Sequence, residues 1–115
     1  MASRRSERVG GLLVEVVAEI LLREVKDPRL EGITVTAAAM SPDLRAARVF
    51  VRTLSGSKDV DALAGLKSAS GYIRRQVAGR MGLKYTPGLT FVYDETLDDV
   101  NRLEGIFHKI HKGNG

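Results

Sequence analysis

The sequence predicts an α+β fold, one small sheet with helices packed on one of its faces. Three observations carry this. A run of apolar residues at helical spacing opens the chain. Two alternating segments rich in β-branched residues follow, separated by a turn signal. Helical patterns then flank a third short strand. The predicted order is helix, strand, strand, a helix pair kinked in the middle, strand, helix.

The first helix is read from Val9, Leu12, Leu13, Val16, Val17, Ile20 and Leu21, which step along one face. Ser3 or Ser6 supplies its cap, and Lys26-Asp27-Pro28 ends it, because proline cannot continue a helix and disfavours helical backbone before it. Asp27-Pro28-Arg29-Leu30 then reads as a plain connector. Ile33 to Ala39 alternates and forms a strand. Ser41-Pro42-Asp43 is a turn. Arg45 to Leu54 alternates again, with Ala47, Val49 and Val51 on one face and Arg48, Phe50 and Arg52 on the other. The two runs make a hairpin with one buried face.

Ser55-Gly56-Ser57-Lys58 is a loop. The next helix turns Val60, Leu63 and Leu66 inward, and Ala69-Ser70-Gly71 interrupts it. A second segment carries Ile73, Val77 and Met81 inward, with Arg74, Arg75 and Arg80 outward and Gly82 as its stop. Pro87-Gly88 is a turn before a third strand, Leu89 to Tyr93. Thr96-Leu97-Asp98-Asp99 has the form of a capping box, opening a short helix with Val100, Leu103, Phe107 and Ile110 on one side. Residues from about 111 to 115 fray. No repeat or linker divides the 115 residues, which suit a single domain over 1–115.

Composition narrows the function. Lys+Arg 18 against Asp+Glu 14 gives a formal net charge of +4, which favours an anionic partner. With no cysteine there is no disulfide, thiolate metal site or cysteine nucleophile, which fits a reducing cytoplasm. The N-terminus has no apolar stretch directly behind its charges, as a signal peptide needs. Leu12 to Leu22 is broken by Glu15 and Glu19 and is too short to span a bilayer, so no membrane partner is expected.

The basic residues gather in three places: Arg4, Arg5 and Arg8 at the start, Arg45, Arg48 and Arg52 on the second strand, and Lys67, Arg74, Arg75, Arg80 and Lys84 through the interrupted helix. Each can neutralise a phosphate without reading sequence. At the break, Gly71 has no side chain and Ala69 almost none, so a nucleic-acid backbone can approach closely. A helix starting at Ser70 would also aim its free amides and positive dipole end at phosphate. Ser70 either caps that helix or donates to phosphate, and the small residues alternatively let two helices pack tightly. The pattern G-x-x-G, which clamps RNA between two helices in KH domains, occurs at Gly79-Arg80-Met81-Gly82. Its place at a helix end makes Gly82 a C-cap instead.

No nucleophile–base pair, P-loop or dinucleotide fingerprint occurs, so nothing points to an enzyme or a cofactor. An enzymatic alternative, a metal-dependent nuclease, would draw on Asp94, Asp98, His108 and His111. Tyr85, Phe91 and Tyr93 either stack on bases or belong to the core.

Glu24-Val25-Lys26-Asp27-Pro28-Arg29-Leu30, Thr34-Val35-Thr36, and Ser41-Pro42-Asp43-Leu44 followed by Ala47 to Val51 form an ordered series. It continues through Ala69-Ser70-Gly71-Tyr72-Ile73-Arg74 and Pro87 to Asp94. In that order and spacing, from Arg4 to about Ile110, the chain resembles the bacterial ribosome-binding factor A family. The resemblance implies a type II KH fold, with an alanine-centred kink at Ala69 in place of the usual G-x-x-G. It implies a cytoplasmic assembly factor, not an enzyme, that is monomeric off the ribosome. Such a factor binds free small ribosomal subunits and their precursors, assists late maturation and 5′-end processing of 16S ribosomal RNA, and is linked to growth in the cold. Its RNA-facing surface maps onto Lys67, Ser70, Gly71, Arg74, Arg75, Arg80 and Lys84. A generic KH-like module for single-stranded RNA is the alternative of the same class. On this reading, reversing Arg74 and Arg75 to Glu removes subunit binding and leaves folding intact.

Overall fold

The structure, a computed structural model, describes residues 4–54 and 59–95. Helix α1 spans Arg4–Arg23, a 3-10 turn spans Pro28–Leu30, strands β1 and β2 span Thr34–Met40 and Ala46–Arg52, helix α2 spans Val60–Met81, and strand β3 spans Gly88–Tyr93. The expected helix beyond Thr96 lies outside the described residues.

The three strands form one sheet in the order β1-β2-β3. β1 and β2 pair antiparallel through the predicted hairpin, whereas β3 pairs parallel to β2. Parallel neighbours cannot be joined by a tight turn, so the 22-residue α2 serves as their crossover. Both helices cover the same face: α1 lies against β1, α2 lies against β3, and the two helices touch each other. The alternation predicted for β2 is observed. Ala47, Val49 and Val51 are buried while Arg48 is exposed. Leu13, Val17 and Ile20 of α1, Leu66, Ile73 and Val77 of α2, and Val49 and Val51 of β2 are wholly excluded from solvent. Each stabilises the fold by about 1.5–3 kcal/mol relative to exposure.

The buried face of α1 is narrower than its apolar periodicity suggests. Leu12 is half exposed, and Gly10 is buried. A Cβ at Gly10 would stand 3.0 Å from the Ala38 carbonyl oxygen, so the helix backbone itself rests on β1. Ser6 lies inside α1 and is buried, so it does not occupy the cap position expected of it; Ser3 lies outside the described residues.

The largest departure concerns α2. Ala69-Ser70-Gly71 does not divide it, and one helix runs from Val60 to Met81. The reason is phase. Ala62, Leu66, Ala69, Ile73 and Val77 recur at steps of four, three, four and four, so a single apolar stripe stays on the core through the supposed break. No helix N-terminus therefore opens at Ser70. Val60 is not turned inward either; it is 74% exposed, while Ala62 and Gly65 occupy the inner face. Gly65 permits close contact with Leu30 and Arg29 of the 3-10 turn. Asp59 caps the start of α2 by accepting from the amides of Asp61 and Ala62. Gly82, at φ 61°, ends it in the left-handed C-cap conformation read from the sequence.

The Asp27–Leu30 connector is more than a linker. The Asp27 carboxylate accepts from the Arg29 amide and, in two-point contact, from its guanidinium at 2.8 and 3.1 Å. This pair holds the Asp27 carboxyl below its ordinary range, and it closes the turn that delivers Leu30 to the core.

Candidate nucleic-acid interface

The continuous α2 sorts its residues onto two faces. Opposite the apolar stripe lie Lys67, Gly71 and Arg75, four residues apart, while Ser70 and Arg74 lie on the flank that turns toward β3. Lys67 and Arg75 are exposed, and Ser70 and Gly71 are partly so. The cations thus bracket Gly71 by one turn on either side, along about 12 Å of helix. A Cβ at Gly71 would meet only the Arg75 guanidinium, at 3.4 Å. Among the described residues, tight packing of small residues therefore does not explain Gly71, since no other described element presses on it. Ser70 forms one wall of a shallow groove with Val60, Leu63, Ala64 and Lys67, faced by Leu89, Thr90 and Phe91 of β3. The groove holds about 530 Å³.

Two of the expected RNA contacts have partners within the protein. The Arg74 Nε donates to the Pro87 carbonyl at 2.9 Å, tying α2 to the loop that enters β3. Arg80 forms an ion pair with Glu24 at the end of α1, and the Tyr72 hydroxyl donates to the same carboxylate at 2.6 Å. The Arg80 hydrogen bond, then that of Tyr72, keeps the Glu24 carboxyl below its ordinary range. Arg80 thus bridges the two helices. Reversing Arg74 and Arg75 together would also remove the Arg74 link to Pro87. Arg75 carries no such link among the described residues and is the cleaner probe.

Of the other cations, Arg45, Lys84, Arg4, Arg5 and Arg8 lie around one end of the sheet, and Arg52 at the other. Arg45 follows the β1–β2 turn and sits over the Tyr85 ring, 4.1 Å from its centroid, with the Lys84 ammonium 5.4 Å from the same ring. Arg48 projects from the face of β2 that neither α1 nor α2 covers, 6.0 Å from the Phe50 ring. Arg4, Arg5 and Arg8 are exposed on the first turns of α1, and the Gly10 contact with Ala38 and Met40 places those turns beside the end of β1 that enters the turn. Tyr93 is buried and Phe91 packs against the core, whereas Tyr85 is 41% exposed. Sequence reasoning left these three aromatics undivided, because strand spacing alone does not tell a loop tyrosine from a core one.

Among the described residues no group of three or more His, Asp or Glu side chains could hold a metal ion. Of the residues that the nuclease alternative needs, Asp98, His108 and His111 lie outside the described residues. Asp94 accepts from the Thr36 hydroxyl at 2.5 Å. Its backbone carbonyl accepts from Arg52 at 2.8 Å, which closes the far end of the sheet. No described helix is long and apolar enough to cross a membrane.

Comparison with known proteins places this architecture. The family model described as ribosome-binding factor A matches residues 5–107. A ribosome-binding factor A from Halothermothrix orenii is 40% identical over 111 residues, covering 96% of this chain and 91% of its own. One from Staphylococcus epidermidis is 35% identical over 113 residues, covering 97% of both. Among solved structures, the crystal structure of ribosome-binding factor A from Thermus thermophilus superposes with a TM-score of 0.69 at 26% identity, covering 76% of this chain and 94% of its own. A homology model of the Thermus thermophilus factor, fitted into the cryo-electron microscopy map of a complex of that factor with 30S, gives a TM-score of 0.65 at 26% identity, over 77% of this chain and 94% of that one. A match to the family model over most of the chain, together with relatives of this identity and coverage, makes the chain a member of the ribosome-binding factor A family.

Proposed function

We propose that this protein is a cytoplasmic assembly factor that binds the free small (30S) ribosomal subunit as a monomer, through 16S ribosomal RNA. It assists late maturation of that RNA, including processing of its 5′ end, without itself being an enzyme. The observation that carries the RNA contact is Gly71. A glycine in the interior of a helix costs about 1 kcal/mol relative to alanine, and among the described residues no packing from another element compensates it. What it leaves is a short strip of helix surface between Lys67 and Arg75 that lacks one side chain, with the Arg75 guanidinium beside it, suited to an RNA phosphate at close range. Ser70 contributes a hydroxyl to that strip from within the helix, not a helix N-terminus.

Binding energy spent on one local RNA conformation raises the population of that conformation, which is how a factor without catalytic groups promotes maturation. Membership of the family and the fit of a family member to a 30S complex support the choice of partner. The test is sedimentation of tagged protein with fractionated ribosomal particles. Enrichment on immature small subunits is expected. Migration with free protein or with mature ribosomes alone would refute the reading.

A further inference from the structure

We propose that Arg45, Tyr85 and Lys84 form a prearranged clamp for an RNA phosphodiester, separate from the strip at Gly71. The proposal rests on the RNA-binding reading above and extends it to a second point of contact. The Arg45 guanidinium lies 4.1 Å from the Tyr85 ring centroid and the Lys84 ammonium 5.4 Å from the same centroid, both within cation–π range of one ring. Two long, flexible cations thereby share one platform. The rotamer freedom that each loses on meeting an anion is already reduced.

The platform is built from several sides. Leu44 adopts φ 61°, a left-handed conformation that non-glycine residues rarely take, and its side chain is buried. The Arg45 amide donates to the Asp43 carboxylate at 3.1 Å, and the Arg45 carbonyl accepts from the Gly88 amide at 2.8 Å. Asp43 also accepts from the Ser41 hydroxyl at 2.7 Å, so its hydrogen bonds serve the turn, and its charge acts on the Arg45 guanidinium only through space. On the other side Pro87 is buried, and its carbonyl is held by Arg74. Both ends of the stack are thus anchored while the stack itself stays in solvent. Neither Arg45 nor Lys84 forms an ion pair among the described residues. Two cations ordered against one ring, neither in an ion pair among the described residues, suit a phosphodiester better than scattered carboxylates, and Arg4, Arg5 and Arg8 extend the positive field at the same end of the sheet.

The experiment measures affinity of the full chain for purified small ribosomal subunits by fluorescence anisotropy across a salt series. Tyr85→Ala should weaken binding about two- to fivefold, the range of an exposed cation–π contact, and Tyr85→Phe should bind like wild type. Arg45→Ala should also lower the slope of log affinity against log salt by about 0.7–0.9, the value of one phosphate contact. The effects of Tyr85→Ala and Arg45→Ala should be less than additive, because the ring acts through the cation. Unchanged binding by Tyr85→Ala, strictly additive effects, or an unchanged salt slope in Arg45→Ala would each overturn the clamp; the last would point to a protein partner. Arg75→Glu separates the two levels. If it weakens binding and Tyr85→Ala does not, only the clamp falls; if wild type itself fails to bind, the RNA reading falls with it.

Discussion

Replacing Gly71 with alanine should make the protein more stable and a poorer RNA binder. The stability side follows from local terms. Alanine is favoured over glycine in a helix interior by about 0.8–1 kcal/mol. The new methyl would meet only an arginine terminus at 3.4 Å, an ordinary contact that a flexible side chain can relax. The net gain should be about 0.5–1 kcal/mol, visible as a rise in Tm of roughly 3–6 °C. The binding side follows from lost approach. If the methyl displaces one phosphate from its charge-assisted hydrogen bond, worth about 1.5–3 kcal/mol, affinity for small subunits drops roughly ten- to hundredfold. Gly79→Ala is the matched control. Gly79 lies on the same helix, is exposed, and has nothing within 4 Å of its absent Cβ. It should gain similar stability with no loss of binding. Thermal melting and anisotropy on the two variants decide the matter. Equal affinities would refute the close-approach argument, and a destabilised Gly71→Ala would show a packing role beyond the contacts among the described residues.

Other expectations concern the scaffold. Both Leu44→Ala and Leu44→Gly should lose about 2–5 kcal/mol of core burial in urea unfolding. The glycine variant should nevertheless be the more stable by about 0.5–1 kcal/mol, since relief of a left-handed cost of about 1–2 kcal/mol exceeds glycine's unfolded-state entropy; an alanine variant as stable as the glycine one contradicts this. Gly11→Ala should raise Tm, whereas Gly10→Ala should lower it, because the added carbon presses on a backbone carbonyl that cannot rotate away. Glu24 is held below its ordinary value of 4.5, first by Arg80 and then by Tyr72. A depressed carboxyl contributes stability that is present above about pH 4.5 and is lost as pH falls through the folded-state value. Glu24→Gln should accordingly flatten the acid limb of the urea midpoint plotted against pH, and an unchanged limb would show the pair to be inert.

Much of the fold was legible because its signals are local. The alternation of Ala47, Val49 and Val51 with Arg48 and Phe50 is a property of the pleat, and the sheet obeys it. Gly82 stops its helix as its residue type suggests. The ordered motifs from Glu24 to Asp94 identified the family without a coordinate. Less legible was anything that depends on what arrives from far along the chain. The small residues at 69–71 resemble a break, yet the stripe from Ala62 to Val77 keeps phase only if the helix continues, and burial against the sheet outweighs the modest local preference to stop.

The sequence by itself determined the basic balance, the α+β order, the inner and outer faces of β2 and the place of Gly71 among cations. The tertiary structure alone decided how those cations divide. Arg80 turns to Glu24, 56 residues away, and Arg74 to the Pro87 carbonyl. Arg75 and Lys67 remain on either side of Gly71, and Arg45 finds Tyr85, 40 positions along, across the parallel pairing of β2 and β3. The physical reason is range. A helical or strand pattern is read over a few residues, but whether a charge is spent inside the protein or left for RNA depends on which groups folding brings within about 3–4 Å, at contact distance where water no longer intervenes.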